Sequence, residues 1–439
     1  MFKKLLATLL VLMMTLTLLG TALANEGVSG TVNFVCAYAA NYGMQDLIDA
    51  FQAKFPNVTV NLNVIGNNEE SNLKIDTMLM GDGEIDVLLN YTTDRMETRS
   101  RAGRFVDLTD LLAEAGLSDM KANWGCDVRF TEDKLYYGVP VDGLGWYIAI
   151  NMTEWENAGL GELPTAWTWD EYTEACRKMT HDDIYGGFDV TDVNQSWALH
   201  VRQVEGADVY YDENGMSSVL SNPLWRKAIE MKYQNEVVDK IWFPYTEGRP
   251  NGILNHNAFL TKKVASTVCC NIFRFIADTE QYPIDFKVGF APYPTDEPGQ
   301  PCLVEGPSPY GFLAITKDCK DNRDFDAAWE FVKFFATDGN YYLMKSGHIS
   351  TYSRADKDEI ISYIFGGMEN AEKLIDIDSF KRFVLNFEGN TYVDTILGAG
   401  GGDYLPSYQI AILSGEMSID DGLAELEAVT NQGIIEAAE

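Results

Sequence analysis

Two strand, helix, strand passages near the start of the chain constrain its fold more than any other feature. Residues 31–38 (TVNFVCAY) form a short apolar run and the loop AANYG follows; residues 44–55 then carry Leu47, Ile48, Phe51 and Phe55 at helical spacing until Pro56 stops the helix. Val58, Val60, Leu62 and Val64 next alternate with Thr59, Asn61 and Asn63, the period of a half-buried strand. A second unit repeats the order, with a helix over 69–80 and a strand over 85–89. Connections of this kind close right-handed and build a parallel sheet, so the spacing predicts an α/β chain.

Further along, the alternation loosens. Two extended runs, 135–141 and 146–151, lie close together, and a helix-rich region follows at roughly 154–240. Strand patterns return at 263–268, 286–290 and 311–316; residues 325–336 (FDAAWEFVKFFA) read as a strongly apolar helix and the last hundred residues as mainly helical, including 419–429. No repeat or low-complexity linker separates these stretches, so a second domain is expected to be interwoven with the first. Residues 1–24 stand apart: Lys3 and Lys4 precede the apolar run from Leu5 to Leu19, and Ala22-Leu23-Ala24 offers a small-x-small cleavage site. The segment reads as a secretory signal peptide, too short in its apolar stretch to span a bilayer.

Charge narrows the function. Against 33 Lys and Arg stand 66 Asp and Glu, a formal charge of −33, which becomes −35 when the leader takes Lys3 and Lys4 with it. Polyanions are held by basic side chains, so nucleic acid and anionic membrane are poor partners. The seven cysteines are odd in number and thinly spread, which argues against a disulfide framework; Cys302 with Cys319 is the one pair worth testing. His181, His200, His256 and His348 form no recognisable metal or catalytic set, and no cofactor is expected. The cluster GAGGGD (398–403) lacks the Lys-Ser/Thr of a phosphate loop, and no G-x-S-x-G is present. Adjacent tyrosines at 136/137, 210/211 and 341/342 are too common in strands and helices to argue for iron.

Taken in order, the landmarks resemble the family 1 extracellular solute-binding proteins of bacterial ABC importers, the class that includes maltose- and other oligosaccharide-binding proteins. GEIDVLLNYTTD (83–94) is similar to that family's strand and cleft loop, with Ile85 where Pro is usual, and GRFVDLTDLL (103–112) to the turn that follows. KLYYGVPVDGLGWYIAIN (134–151) resembles the crossover hinge, and ENAGLGELPTAWTWDEYTEACRKM (156–179) the segment built on TWDE. FLTKKVASTVCCNIFRF (259–275), DFKVGFAPYP (285–294) and GFLAITKDCKDNRDFDAAWEFVKFFAT (311–337) complete the series, Lys262 standing where the family has Gly. The resemblance implies a two-lobe periplasmic-binding-protein-like α/β fold. It places one lobe at 27–140 plus 312–347 and the other at 141–311 plus 348–439. It further implies a solute held in the cleft by hinge closure, probed by membrane permease subunits, without enzymatic activity. A monomer is expected, exported to a periplasm or cell surface. The first cysteine, Cys36, falls inside a predicted strand, which argues against a lipid anchor.

A sugar cleft needs carboxylates or amides for hydroxyl groups and aromatic faces for C–H surfaces. The loop after the first strand supplies Tyr38, Asn41 and Tyr42, and the next cleft loop Asn90, Tyr91 and Asp94. Asp142 and Trp146 flank Gly143 and Gly145 at the crossover. Trp197, Trp242, Tyr245, Asn271 and Arg274 come from the second lobe, Tyr310 from the second crossover, and Tyr404 and Tyr408 from the C-terminal region. Trp167, Trp169 and Trp329 are expected to pack. Trp146 is expected to be a ligand platform instead of a core residue: the strand period aligns it with Ile148 and Ile150 toward a core, but its place at the start of the strand leaving the hinge favours the cleft. The resemblance makes an oligosaccharide the leading solute, which the residue set alone does not separate from its rival. A polyamine held by acids and aromatics is the rival within binding, and an exported glycoside hydrolase or a surface interaction protein the rival outside it.

Overall fold

The computed structural model describes residues 27–81, 85–131, 133–189, 193–322, 324–394 and 404–438. The leader and the glycine cluster at 398–403 lie outside them. Two sheets organise the chain. The first runs in the order β2-β1-β3-β8-β4-β9, built from Gly30–Cys36 (β1), Val58–Val64 (β2), Val87–Tyr91 (β3), Val139–Leu144 (β4), Ser308–Ile315 (β8) and Ile349–Ser350 (β9). The second runs β6-β5-β7, from Tyr147–Asn151 (β5), Ser266–Cys269 (β6) and Val288–Pro292 (β7).

Among the described strands only the first three pair in parallel, as the strand, helix, strand spacing requires: β1 pairs with both β2 and β3. β8 returns antiparallel between β3 and β4, and the second sheet is antiparallel throughout. The helices Met44–Lys54 and Glu69–Met80 cover opposite faces of the first sheet. Alternation along β1 decides which side chain goes where. Val32, Phe34 and Cys36 join Leu47, Phe51, Phe331 and Phe335 in one core, and Val35 joins Leu88, Phe312, Ile75 and Leu79 in another. Phe34 packs edge-on against Phe331 at 5.1 Å between ring centres, which seats the helix Phe325–Ala336 on the sheet. The second sheet has separate cores, one around Tyr147, Phe290 and Phe380, another around Trp146, Ile148, Ile150 and Trp242.

Most expected strands shift by two to four residues at one end or the other, and two of the shifts have a visible cause. Residues 135–137 lie outside the ladder, because Tyr136 bonds the 108–109 turn instead: its N–H donates to Thr109 Oγ1 at 3.1 Å and its carbonyl accepts from Leu108 N at 2.8 Å. Pairing therefore begins at Val139. β1 stops at Cys36, opposite the last residue of β2, which frees Ala37 and Tyr38 to turn away from the sheet.

The chain passes between the two cores at three places: from β4 into β5, back along β8, and through the 3₁₀ turn Asn340–Ser346 into β9, where Leu343 belongs to the first core and Met344 and Ile349 to the second. Cys302 and Cys319 lie in different cores and form no disulfide, nor do the other five cysteines. Trp167 and Trp169 are buried as expected, and Trp329 is half-buried against the first core.

Candidate functional site

The three crossings bring together half of the side chains expected to meet a solute. Tyr38 leaves the end of β1 and points its hydroxyl at Asp142, donating to Oδ2 at 2.8 Å. Asp142 is fully buried and sits where the β4 to β8 register breaks, so that its backbone is displaced from regular pairing. His348, two residues past the 3₁₀ turn, brings Nδ1 to 2.5 Å from Asp142 Oδ1 and 2.7 Å from Tyr38 Oη. With Tyr38 donating to one carboxylate oxygen, the Nδ1–H tautomer of His348 donates to the other. Burial first, and then the Asp142 charge, push the Tyr38 phenol well above its usual range, so it stays a donor. Tyr91, at the end of β3, meets Tyr38 edge-on at 5.6 Å, and Tyr310 on β8 lies 5.8 Å from Tyr91 and 5.6 Å from His348. Asn67, from the loop after β2, donates to the Tyr310 hydroxyl at 3.4 Å.

The seam continues on the other side of Gly347. That glycine has φ 95°, and a Cβ there would come within 2.7 Å of Arg274 Cδ and 3.1 Å of Asn271 Cβ. The close approach lets Arg274 reach across from the second core, where Nη1 donates to Ser346 O at 2.6 Å. Its guanidinium lies 5.2 Å from the Tyr42 ring centre and 4.5 Å from that of Phe275. Gly43 makes the placement of Tyr42 possible: at φ 89° it ends one turn and starts the next helix, and a Cβ would strike the Tyr342 carbonyl at 1.9 Å. Asn41, Tyr42, Arg274 and Lys345 line a pocket of about 290 Å³. Lys345 also ties the two cores, donating to Asp46 Oδ2 at 2.8 Å, while Tyr363 donates to the same oxygen at 2.5 Å. Burial raises the Asp46 carboxyl, but these bonds outweigh it and hold it below its usual value.

The other expected residues lie elsewhere. Asn90 is buried and accepts from Arg99, which also pairs with Asp76 at 2.7 Å; the amide braces the helix Thr93–Arg101. Asp94 is exposed and accepts from Thr92. Trp146 and Trp242 belong to one second-unit core and Trp197 and Tyr245 to another, none more than 1% exposed, so in this conformation their rings face protein. Tyr404 and Tyr408 sit on the C-terminal helices, Tyr404 against Gly433.

Sequence reasoning missed His348 and Lys345, because nothing in local spacing distinguishes them; they matter only once the third crossing has folded back. It also missed a cavity of about 970 Å³ between residues 125–131 on one side and 387–391 on the other. Its first wall is anchored by Trp124 and Phe130 in the first unit and its second by Phe387 in the other. Thr391 bridges the walls through Gly125 O at 3.1 Å, and Tyr392 N bonds Ser308 Oγ at 2.9 Å where β8 begins. Among the described residues, no group of three His, Cys, Asp or Glu could hold a metal ion. Nor is any described helix long and apolar enough to cross a membrane.

No curated protein matches the chain by sequence. Solved structures do. A sugar transporter from Rhizobium etli in an open conformation superposes with a TM-score of 0.74 at 18% identity, over 92% of this chain and 99% of that one. A Listeria monocytogenes ABC substrate-binding protein in complex with cycloalternan gives 0.64 at 16% identity, over 93% and 99%. Maltose-bound MalE3 of T. maritima gives 0.66 at 16%, over 91% and 98%. At these identities the likeness establishes the two-lobe fold. The family model described as bacterial extracellular solute-binding protein matches residues 39–342, well over half of the sequence, and the chain belongs to that family.

Proposed function

We propose that this solute-binding protein captures a carbohydrate, most simply an oligosaccharide, between its lobes and passes it to the permease subunits of an ABC importer. The observation that carries the reading is the seam at the three crossings. Tyr38 and Tyr310 present half-buried aromatic rings beside His348, backed by the buried Tyr91 and Asp142, and Asn41, Tyr42, Asn271 and Arg274 continue the seam with amide, phenol and guanidinium groups. Such a mixture suits sugars, whose hydroxyl groups want paired donors and acceptors and whose C–H faces want rings. The solved relatives bound to maltose and cycloalternan support it by analogy of fold. We divide the lobes as the resemblance implies, 27–140 plus 312–347 against 141–311 plus 348–439, and closure about the crossings is the capture step. We place the mature protein outside the cytoplasmic membrane, as a monomer released by cleavage after Ala24.

The interlobe cavity of about 970 Å³ favours one extension of this reading. Its volume is at the upper end for small-molecule sites, and its wall residues Thr391 and Val393 flank Tyr392, which bonds Ser308 at the start of β8, so a long saccharide could run from the seam into it. A thermal-shift screen of neutral and acidic oligosaccharides, polyamines and peptides identifies the class, since a ligand at a hundred times its Kd stabilises by about 2.7 kcal/mol. Calorimetry on Tyr38→Ala and Phe130→Ala then locates it. Loss of affinity in Tyr38→Ala supports the seam; loss confined to Phe130→Ala moves the site to the cavity, and stabilisation by polyamines alone replaces the carbohydrate reading.

A further inference from the structure

We infer that the pocket at Arg274 is a subsite for an anionic group, a carboxylate or a sulfate or phosphate ester, so that the solute is an acidic saccharide. The inference rests on the carbohydrate reading for the saccharide and on the pocket alone for the charge. In a chain with 66 acids and 33 bases, a cation beside an interlobe pocket would be expected to have found a carboxylate. Arg274 forms no ion pair among the described residues; its single hydrogen bond is Nη1 to Ser346 O at 2.6 Å. A guanidinium carries five N–H donors in a planar fork that matches an oxyanion, and here most of that fork is unused.

The side chain is also held in place before any ligand arrives. It lies between the Tyr42 and Phe275 rings, and Phe275 is itself stacked on His256, 3.8 Å between centres and 4° from parallel. Burial, and then the nearby Arg274 charge, push His256 down to about 4, so the imidazole is neutral at physiological pH and the stack holds one cation. A fork clamped between rings loses little freedom on binding, which is the usual advantage of a preorganised site.

The neighbouring charges leave Arg274 uncompensated. Lys345 is matched by Asp46, 2.8 Å away. Asp278, on the pocket rim, accepts from the Gln281 amide at 3.1 Å and makes no ion pair with Arg274. Asn41 adds an amide on the first-lobe side, so an anion in the pocket would be gripped by both lobes and would favour their closure.

The test is calorimetric titration of the mature protein with a galacturonic acid trisaccharide, a sulfated trisaccharide and their neutral parent, together with thermal shifts in inorganic phosphate. At least one acidic form should bind tenfold or more tightly than the neutral parent, and which one does so separates carboxylate from ester. Arg274→Gln should abolish that preference, while Arg274→Lys keeps part of it. If Arg274→Gln does not fold, salt titration of the unsubstituted protein decides instead, because an Arg-anion contact weakens from low to high salt and a neutral contact does not. Equal or tighter binding of the neutral sugar overturns the anionic subsite and leaves the carbohydrate reading standing. Stabilisation by phosphate that Arg274→Gln removes, with no saccharide bound, supports the subsite and overturns the carbohydrate reading. Absence of any anion-dependent binding overturns the inference whichever sugar binds.

Discussion

Replacing Trp146 by alanine tests where the core of the second lobe ends and the cleft begins. The indole is 1% exposed and shares a cluster with Ile148, Ile150, Trp155 and Trp169, and its backbone N–H donates to Val304 O at 3.1 Å. A buried Trp removes roughly 150–250 Å² from water, which at about 25 cal/mol per Å² is worth up to about 4–6 kcal/mol. Alanine keeps the Cβ, the denatured chain already hides part of the ring, and the site relaxes only in part. The expected loss is therefore about 3–5 kcal/mol. Urea denaturation gives the stability change, and calorimetry with the best sugar from the screen gives the affinity of the folded fraction, which should be nearly unchanged. A stability loss below about 1 kcal/mol together with a tenfold or greater loss of affinity would refute the argument, because the ring would then be facing solute.

Lys232 is buried between Asp189 and Glu236, at 3.0 and 2.9 Å, so Lys232→Met should cost about 3–5 kcal/mol in denaturation by stranding two carboxylates; an unchanged midpoint would show that the ions are not coupled. His256 titrates near 6.5 when unfolded and at about 4 when folded, so the unfolded chain binds the extra proton between those values and stability is lost as pH falls through that window. The full linkage is at most roughly 3 kcal/mol, and His256→Asn should flatten that part of the pH profile. Gly347→Ala should cost about 1–3 kcal/mol through its φ of 95° and weaken solute binding by displacing Arg274; unchanged affinity would detach Arg274 from the site.

Periodicity made much of the scaffold legible. The helices Glu69–Met80 and Phe325–Ala336 fall where their apolar spacing puts them, and β1, β2 and β3 pair in parallel as the strand, helix, strand order requires. Strands whose partners come from far along the chain were less so. β8 joins β3 to β4 across more than two hundred residues, and nothing near Ser308 announces an antiparallel return. The site divides in the same way. Tyr38, Tyr91, Asp142 and Tyr310 were visible because each ends or interrupts a strand on the side where the sheet meets the crossings. His348 and Lys345 were not, since their neighbours are Tyr38, Asp142 and Asp46, some two to three hundred residues earlier. Trp146 shows period and position in conflict. Its strand period toward Ile148 and Ile150 agrees with the burial seen here, and the end of a strand proved no guarantee of access.

Capture by closure between lobes is tested most directly by small-angle scattering of the mature protein, alone and saturated with the sugar that binds best. A smaller radius of gyration in the saturated protein, lost again when the sugar is removed, is the predicted result. An unchanged radius with the site demonstrably full would contradict the account.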